Sequence, residues 1–302
     1  MSLLDILTWA ILGILVIMAL LGNGFIIAVN GHQWLQNKKI VTCNFLLTSL
    51  STSRFLLQMD CAVSYLLYLI SPELYFHTST IAAFNFIWML FNLTTLWCVT
   101  WLSVFYCVKV TNFDNCLFLW LKPRINMLAP RLLGISIVVS IVLFFPSLVS
   151  YLRDKKWCSL TDTIPTNASQ SDVCNKLFNA FNAPQFSFAF INFSLTLSTS
   201  IFLLTSLWKH TRNLEKSGVA TKDLSTRGHI KVMKFVLVSV FFYILYFPSM
   251  VIAVSTLFEF GKTERMISDI LLSLYALVHS VILILTNPKL KEVAGWILII
   301  RQ

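Results

Sequence analysis

The sequence predicts an all-α membrane protein, a single seven-transmembrane-helix bundle occupying residues 1–302. Three observations predict it. Charged residues make up 12% of the 302 residues and apolar types 57%, where a soluble domain carries about 25% charge. Seven stretches are apolar over the roughly 20 residues that a membrane helix needs. The basic residues gather on alternate loops. So little charge cannot cover a water-exposed surface, which excludes a soluble enzyme, a disordered tail and a secreted disulfide scaffold.

In chain order the spans are placed at 6–31, 42–70, 79–108, 132–152, 183–208, 232–258 and 269–288. The first is uncharged from Ile6 to Gly31. It exceeds the 7–15 residues of a signal-peptide core and follows no basic n-region, so it reads as a retained span. The second is apolar apart from Arg54 and Asp60, and the third lies in the uncharged run Leu74–Val108. The fourth is bounded by Arg131 and Arg153, the fifth by Lys176 and Lys209, the sixth by Lys234 and Glu259, and the seventh by Asp269 and Lys289. No repeat of fixed period is visible, which argues against repeat-built transporters. The alternation of an outer-membrane barrel is also missing.

The net charge of +10 admits nucleic acid, anionic lipid or topology as its cause. The loops after spans 1, 3 and 5, with the C-terminal tail, hold 16 basic residues against four acidic ones: Asp114, Glu215, Asp223 and Glu292. The opposite side holds six basic residues against eight acidic ones. The positive-inside rule therefore puts the C-terminus in the cytosol and the N-terminus outside, with no need of nucleic acid. The N-glycosylation sequon Asn167-Ala-Ser falls in the outside loop after span 4. Cys158 and Cys174 share that loop, where oxidation is permitted and an intraloop disulfide stays open. The remaining cysteines lack metal-ligand spacing. No metal or cofactor is expected.

Ionisable and amide side chains inside the bundle are expensive and draw attention. Arg54 and Asn23 lie at similar depth in spans 2 and 1. This suggests an amide–guanidinium contact that fixes packing, or for Arg54 a state-dependent contact with span 7. Asp269 at the outer end of span 7 is either a solvated acid or an anionic contact in an outward-facing pocket. Asn85, Trp88 and Asn92 fall at three- and four-residue spacing along one helical face, polar enough to line a cavity. Tyr246 sits just before Pro248, which removes a backbone hydrogen bond and marks a kink or hinge. No GxSxG, HExxH, P-loop or GxGxxG motif is present, the five histidines are dispersed, and no enzyme is expected.

Several motifs then make the chain resemble the vertebrate bitter taste (type 2 taste) receptors, a family of G-protein-coupled receptors. They are Leu46-Leu-Thr-Ser-Leu-Ser-Thr-Ser-Arg54, Leu102-Ser-Val-Phe-Tyr-Cys-Val-Lys109 followed by Asn112-Phe113, and Phe118-Leu-Trp-Leu-Lys122. Ser206-Leu-Trp-Lys-His210, Asp223-Leu-Ser-Thr-Arg-Gly-His-Ile-Lys231 and His279-Ser-Val-Ile-Leu-Ile-Leu-Thr-Asn287 continue the series to the tail. The Asp-Arg-Tyr of rhodopsin-like receptors is replaced by Phe105-Tyr-Cys-Val, and Leu224 departs from the Pro common in the bitter family.

The resemblance implies a plasma-membrane, multi-pass receptor that detects small bitter compounds and activates a heterotrimeric, gustducin-like G protein at its cytosolic face, in contact with membrane lipids. It implies a ligand pocket containing Trp88, Asn92, Tyr246 and Asp269, joined by Asn85, Met89 and, more weakly, Gln185. Asn23, Arg54, Pro248, His279 and Ser280 are the structural or switch positions. The competing readings are another seven-helix chemosensory or pheromone receptor, and a small transporter or channel.

Overall fold

The computed structural model describes residues 3–38, 41–110, 116–161, 168–216, 224–254 and 263–299. Among these residues every regular element is a helix. The long helices are α1 Leu3–Asn37, α2 Thr42–Ile70, α4 Thr78–Val110, α5 Cys116–Thr161, α6 Ala168–Lys216, α7 Leu224–Val254 and α8 Thr263–Thr286. Two short ones are α3 Pro72–Tyr75, between α2 and α4, and α9 Pro288–Ile299 at the C-terminal end.

Six of the long helices (α1, α4, α5, α6, α7 and α8) are long and apolar enough to cross a membrane. The seventh, α2, has 29 residues but a more polar sequence, and the distribution of that polarity explains it. Ser51, Ser53, Arg54, Gln58, Asp60 and Ser64 are buried against the bundle, whereas Leu56, Met59, Val63, Leu66 and Leu69 are exposed. The helix is amphipathic in the membrane sense, with its polar side turned inward and its apolar side outward.

Several helices run past the apolar stretches that mark the spans. α5 starts at Cys116 and carries Lys122, Arg124 and Arg131 before its apolar part, and α6 starts at Ala168. Charges mark the edge of the hydrocarbon layer, whereas helices end where caps or prolines end them. Asn287 provides one such signal: its Oδ1 accepts the backbone N–H groups of Lys289 at 3.1 Å and Leu290 at 3.4 Å. It thereby caps α9, whose first residue is Pro288.

The ring of helices is closed by α1, which packs against both α2 and α8. The central member is α4, in contact with α2, α5 and α6, while α7 lies between α6 and α8. Polar side chains bind α4 to its neighbours. Trp97 and Trp101, one turn apart, donate their indole N–H groups to Ser140 (2.9 Å) and Ser136 (3.1 Å) of α5. Thr95 donates to Ser53 of α2 at 2.9 Å, and Thr100 to Oδ1 of Asn192 in α6 at 2.7 Å. Such bonds supply specificity where apolar surface gains nothing by leaving lipid. Other hydroxyls, including Thr48, Thr94 and Thr199, fold back on the carbonyl four residues earlier and so satisfy themselves within their own helix.

Candidate functional site

The predicted α4 face becomes more buried along the helix toward the middle of the bundle. Asn85 is exposed, Trp88 is half-buried against the core, and Met89 and Asn92 are buried. Asn92 accepts a short hydrogen bond through Oδ1 from the Tyr246 hydroxyl of α7. Its Nδ2 finds no partner among the described residues. Two of the predicted ligand contacts are thus clasped across the bundle axis, with one amide donor left over.

Tyr246 begins an aromatic ladder. Its ring lies 4.8 Å from that of Tyr275 in α8, and Tyr243 lies 5.8 Å from the same ring. The Arg54 guanidinium lies over the same Tyr275 ring, 4.7 Å from its centroid. The expected amide–guanidinium contact between Asn23 and Arg54 is therefore replaced. Asn23 donates to the Ala19 carbonyl of its own helix at 2.8 Å, and Arg54 turns to α8. Depth alone placed the two residues at one level; the rotation of α2 about its axis decided the partner.

Asp269 is buried in the second turn of α8 and is engaged rather than free. Tyr65 of α2 donates to its Oδ2 at 2.5 Å, and Arg265, one turn before it, approaches the same oxygen at 3.5 Å. Arg265 also donates to the Ala253 carbonyl of α7, tying α7, α8 and α2 together. Asp269 thus belongs to an α2–α8 cluster, whereas Asn92 and Tyr246 belong to an α4–α7 cluster. Neither Tyr65 nor Tyr275 is marked in the sequence by a motif; the available signal was a tyrosine at the depth of a buried charge on the facing helix.

Pro248 lies inside α7, which continues to Val254. Its missing N–H leaves the Ile244 carbonyl without a helical donor, and next to it the Ser249 hydroxyl donates to Leu245 at 2.8 Å. His279 and Ser280 are buried in α8. Ser280 faces α1, where a Cβ added to Gly22 would stand 2.6 Å from its Oγ. Asn167 and the side chains of Gln185, Cys158 and Cys174 lie outside the described residues.

Below the aromatic ladder, at the end of the bundle marked by Val110, Phe235 and Pro288, lies a cavity of about 400 Å³. Its wall comes from six helices and includes Tyr106, Ser200, Ser239, Tyr243, Tyr275 and His279. Tyr275 and Tyr243 thus belong both to the ladder and to the cavity. A second space, of about 670 Å³, is lined by α1, α2, α4, α5 and Lys289 of α9 and holds none of the predicted ligand contacts. Among the described residues no group of three or more His, Cys, Asp or Glu is placed to hold a metal ion.

The family model for taste receptor proteins (TAS2R) matches residues 1–302. Taste receptor type 2 member 105 of Mus musculus is 32% identical over 289 residues, covering 91% of this chain and 90% of that protein. Taste receptor type 2 member 10 of Homo sapiens is 34% identical over 285 residues, covering 91% and 88%. Among solved structures, squid rhodopsin superposes with a TM-score of 0.55 at 13% identity, covering 99% of this chain and 88% of that one, which is a likeness of fold.

Proposed function

This chain belongs to the taste receptor (TAS2R) family, and on that premise we propose that it detects small bitter compounds at the plasma membrane and signals through a gustducin-like G protein. It is a multi-pass G-protein-coupled taste receptor, not an enzyme. Its basic loops face the cytosol and its N-terminus faces outside, following the charge distribution.

The agonist site is assigned to the residues Trp88, Met89, Asn92 and Tyr246, with Asn85 at the exposed end of the same α4 face. Trp88 offers a half-buried ring for stacking. Asn92 offers its spare Nδ2 donor, and Oδ1 as well if the Tyr246 hydroxyl is displaced. Such a site holds ligands through apolar walls and a few placed polar groups.

The observation that carries this reading is the sharing of Tyr275. Its ring contacts Tyr246 beside the proposed agonist and also lines the inner cavity. An agonist that binds one position of Tyr246 better than another shifts the population of arrangements by its difference in affinity. The tyrosine stack delivers that shift to the walls of the inner cavity, where the G protein is taken up. The test is expression of the chain with a promiscuous G protein and a panel of bitter compounds. A calcium response that depends on both the receptor and the G protein is expected. An agonist-gated current that persists without any G protein would favour the channel reading instead.

A further inference from the structure

Arg54 is 1% exposed, and no carboxylate or carbonyl among the described residues accepts from its Nε, Nη1 or Nη2; the neutral Tyr275 side chain is its neighbour. The guanidinium stays charged at any attainable pH. An unpaired charge at this depth is strongly disfavoured, and the face of one tyrosine ring recovers only part of the loss. The two acids of the neighbouring spans stand elsewhere. Asp60 is six residues further along α2, about 9 Å at the helical rise. Asp269 is held by Tyr65 and Arg265.

The other polar atoms left without partners here are mostly donors. Ser51, three residues before Arg54 and so on the same face of α2, is fully buried with an unpaired hydroxyl. Asn92 Nδ2, whose Oδ1 holds Tyr246 of the aromatic cluster that Arg54 joins, is likewise unpaired. Against them stand the Asn23 Oδ1 and the His279 Nδ1, neither of which carries a negative charge that could neutralise a guanidinium.

A cluster of buried donors around one fixed positive charge, beside the Tyr275 ring, matches one chemistry. We propose that the bundle centre binds a monovalent anion of halide size, chloride in the cell, held by Arg54 and Ser51 of α2. A single charge on the ion balances the single guanidinium. A small spherical ion needs no directional acceptor geometry and tolerates the apolar ring faces beside it. The ion would pin α2 to α8 through Arg54 and Tyr275, a role separate from agonist recognition.

The test uses the purified full-length receptor in lipid nanodiscs, compared in sodium chloride, sodium bromide and sodium gluconate at equal ionic strength. The unfolding midpoint is expected to rise saturably with chloride and bromide, by roughly 3 °C or more at saturation, and not with gluconate. The ³⁵Cl resonance should broaden in the presence of receptor and sharpen again on adding bromide. Ser51→Ala should weaken the apparent chloride affinity about tenfold, and Arg54→Met should abolish the dependence. If Arg54→Met does not fold, the wild-type titration and Ser51→Ala decide. Equal midpoints in chloride and gluconate for the wild type, or an unchanged chloride affinity in Ser51→Ala, would overturn the proposal.

Discussion

Tyr65 of α2 and Asp269 of α8 meet through a 2.5 Å hydrogen bond, both buried, with Arg265 at 3.5 Å from the same carboxylate oxygen. A residue that the sequence offers as a ligand contact is also a clasp between two helices. A hydrogen bond to a charged group contributes about 1.5–3 kcal/mol, so the clasp is a measurable part of the stability. Tyr65→Phe should lower the unfolding midpoint of the purified receptor. A double-mutant cycle with Asp269→Asn should return a coupling of that size. Strict additivity of the two substitutions would show that the contact contributes nothing.

The same clasp sets an expectation for selectivity. With Tyr65 in place, one carboxylate oxygen is occupied. Tyr65→Phe leaves it only the longer Arg265 contact and should raise sensitivity to cationic agonists relative to neutral ones, whereas Asp269→Asn should weaken responses to cationic agonists more than to neutral ones. Dose–response curves for a matched cationic and neutral pair check both. Equal shifts for the two agonists in either variant would remove Asp269 from recognition and leave it the structural role.

The second clasp, Asn92 with Tyr246, lies where the agonist is proposed to bind. Trp88→Ala and Asn92→Ala should abolish ligand-evoked calcium signals at normal surface expression, and Tyr246→Phe should raise the half-maximal agonist concentration about tenfold. Surface labelling in the same cells separates loss of binding from loss of protein. Wild-type responses in both alanine variants would move the pocket elsewhere.

These cases show what a linear sequence carries. The helices are legible because a bilayer demands long apolar runs, and the runs between charges are visible without any partner. Even the polar α2 could be placed, since Arg54 and Asp60 are too few to break its apolar length. Membership of the family was legible in motifs such as His279–Asn287. The partners of the buried charges were not. Asn23 and Arg54 share a depth, but depth along a helix follows from residue number whereas azimuth depends on how neighbouring helices rotate and cross. Tyrosine hides its role further, because Tyr65 and Tyr275 count as apolar in composition and act through one hydroxyl or one ring face.

Close approach of α1 and α8 gives a sharper structural prediction. A Cβ at Gly22 would lie 2.6 Å from Ser280 Oγ and 3.3 Å from its Cβ. Gly22→Ala must therefore push the helices apart or force the serine to turn, an overpacking cost of about 1–3 kcal/mol. Removing the hydroxyl leaves only the milder contact, so Gly22→Ala combined with Ser280→Ala should recover most of the lost stability. Gly13→Ala and Gly134→Ala, which meet nothing within 4 Å, serve as neutral controls. Thermal unfolding of the four variants checks the ordering, and a Gly22→Ala receptor as stable as the controls would contradict the packing.

The inner cavity offers a way to separate agonist binding from signalling. Ser200 of α6 is buried on its wall, well below the Asn92–Tyr246 level. The space of about 400 Å³ gives room for a larger side chain without displacing a helix. Ser200→Phe should fill part of the volume proposed to receive the G protein and leave the proposed agonist site intact. The expected result is a receptor that agonist still stabilises against heat, because binding to the folded state alone raises the midpoint, yet whose calcium response is lost or at least tenfold weaker. A full calcium response would mean that the G protein does not use this cavity. Loss of agonist stabilisation along with signalling would mean instead that the wall of the inner cavity and the agonist site form one rigid unit, tighter than a stack of Tyr246, Tyr275 and Tyr243 implies.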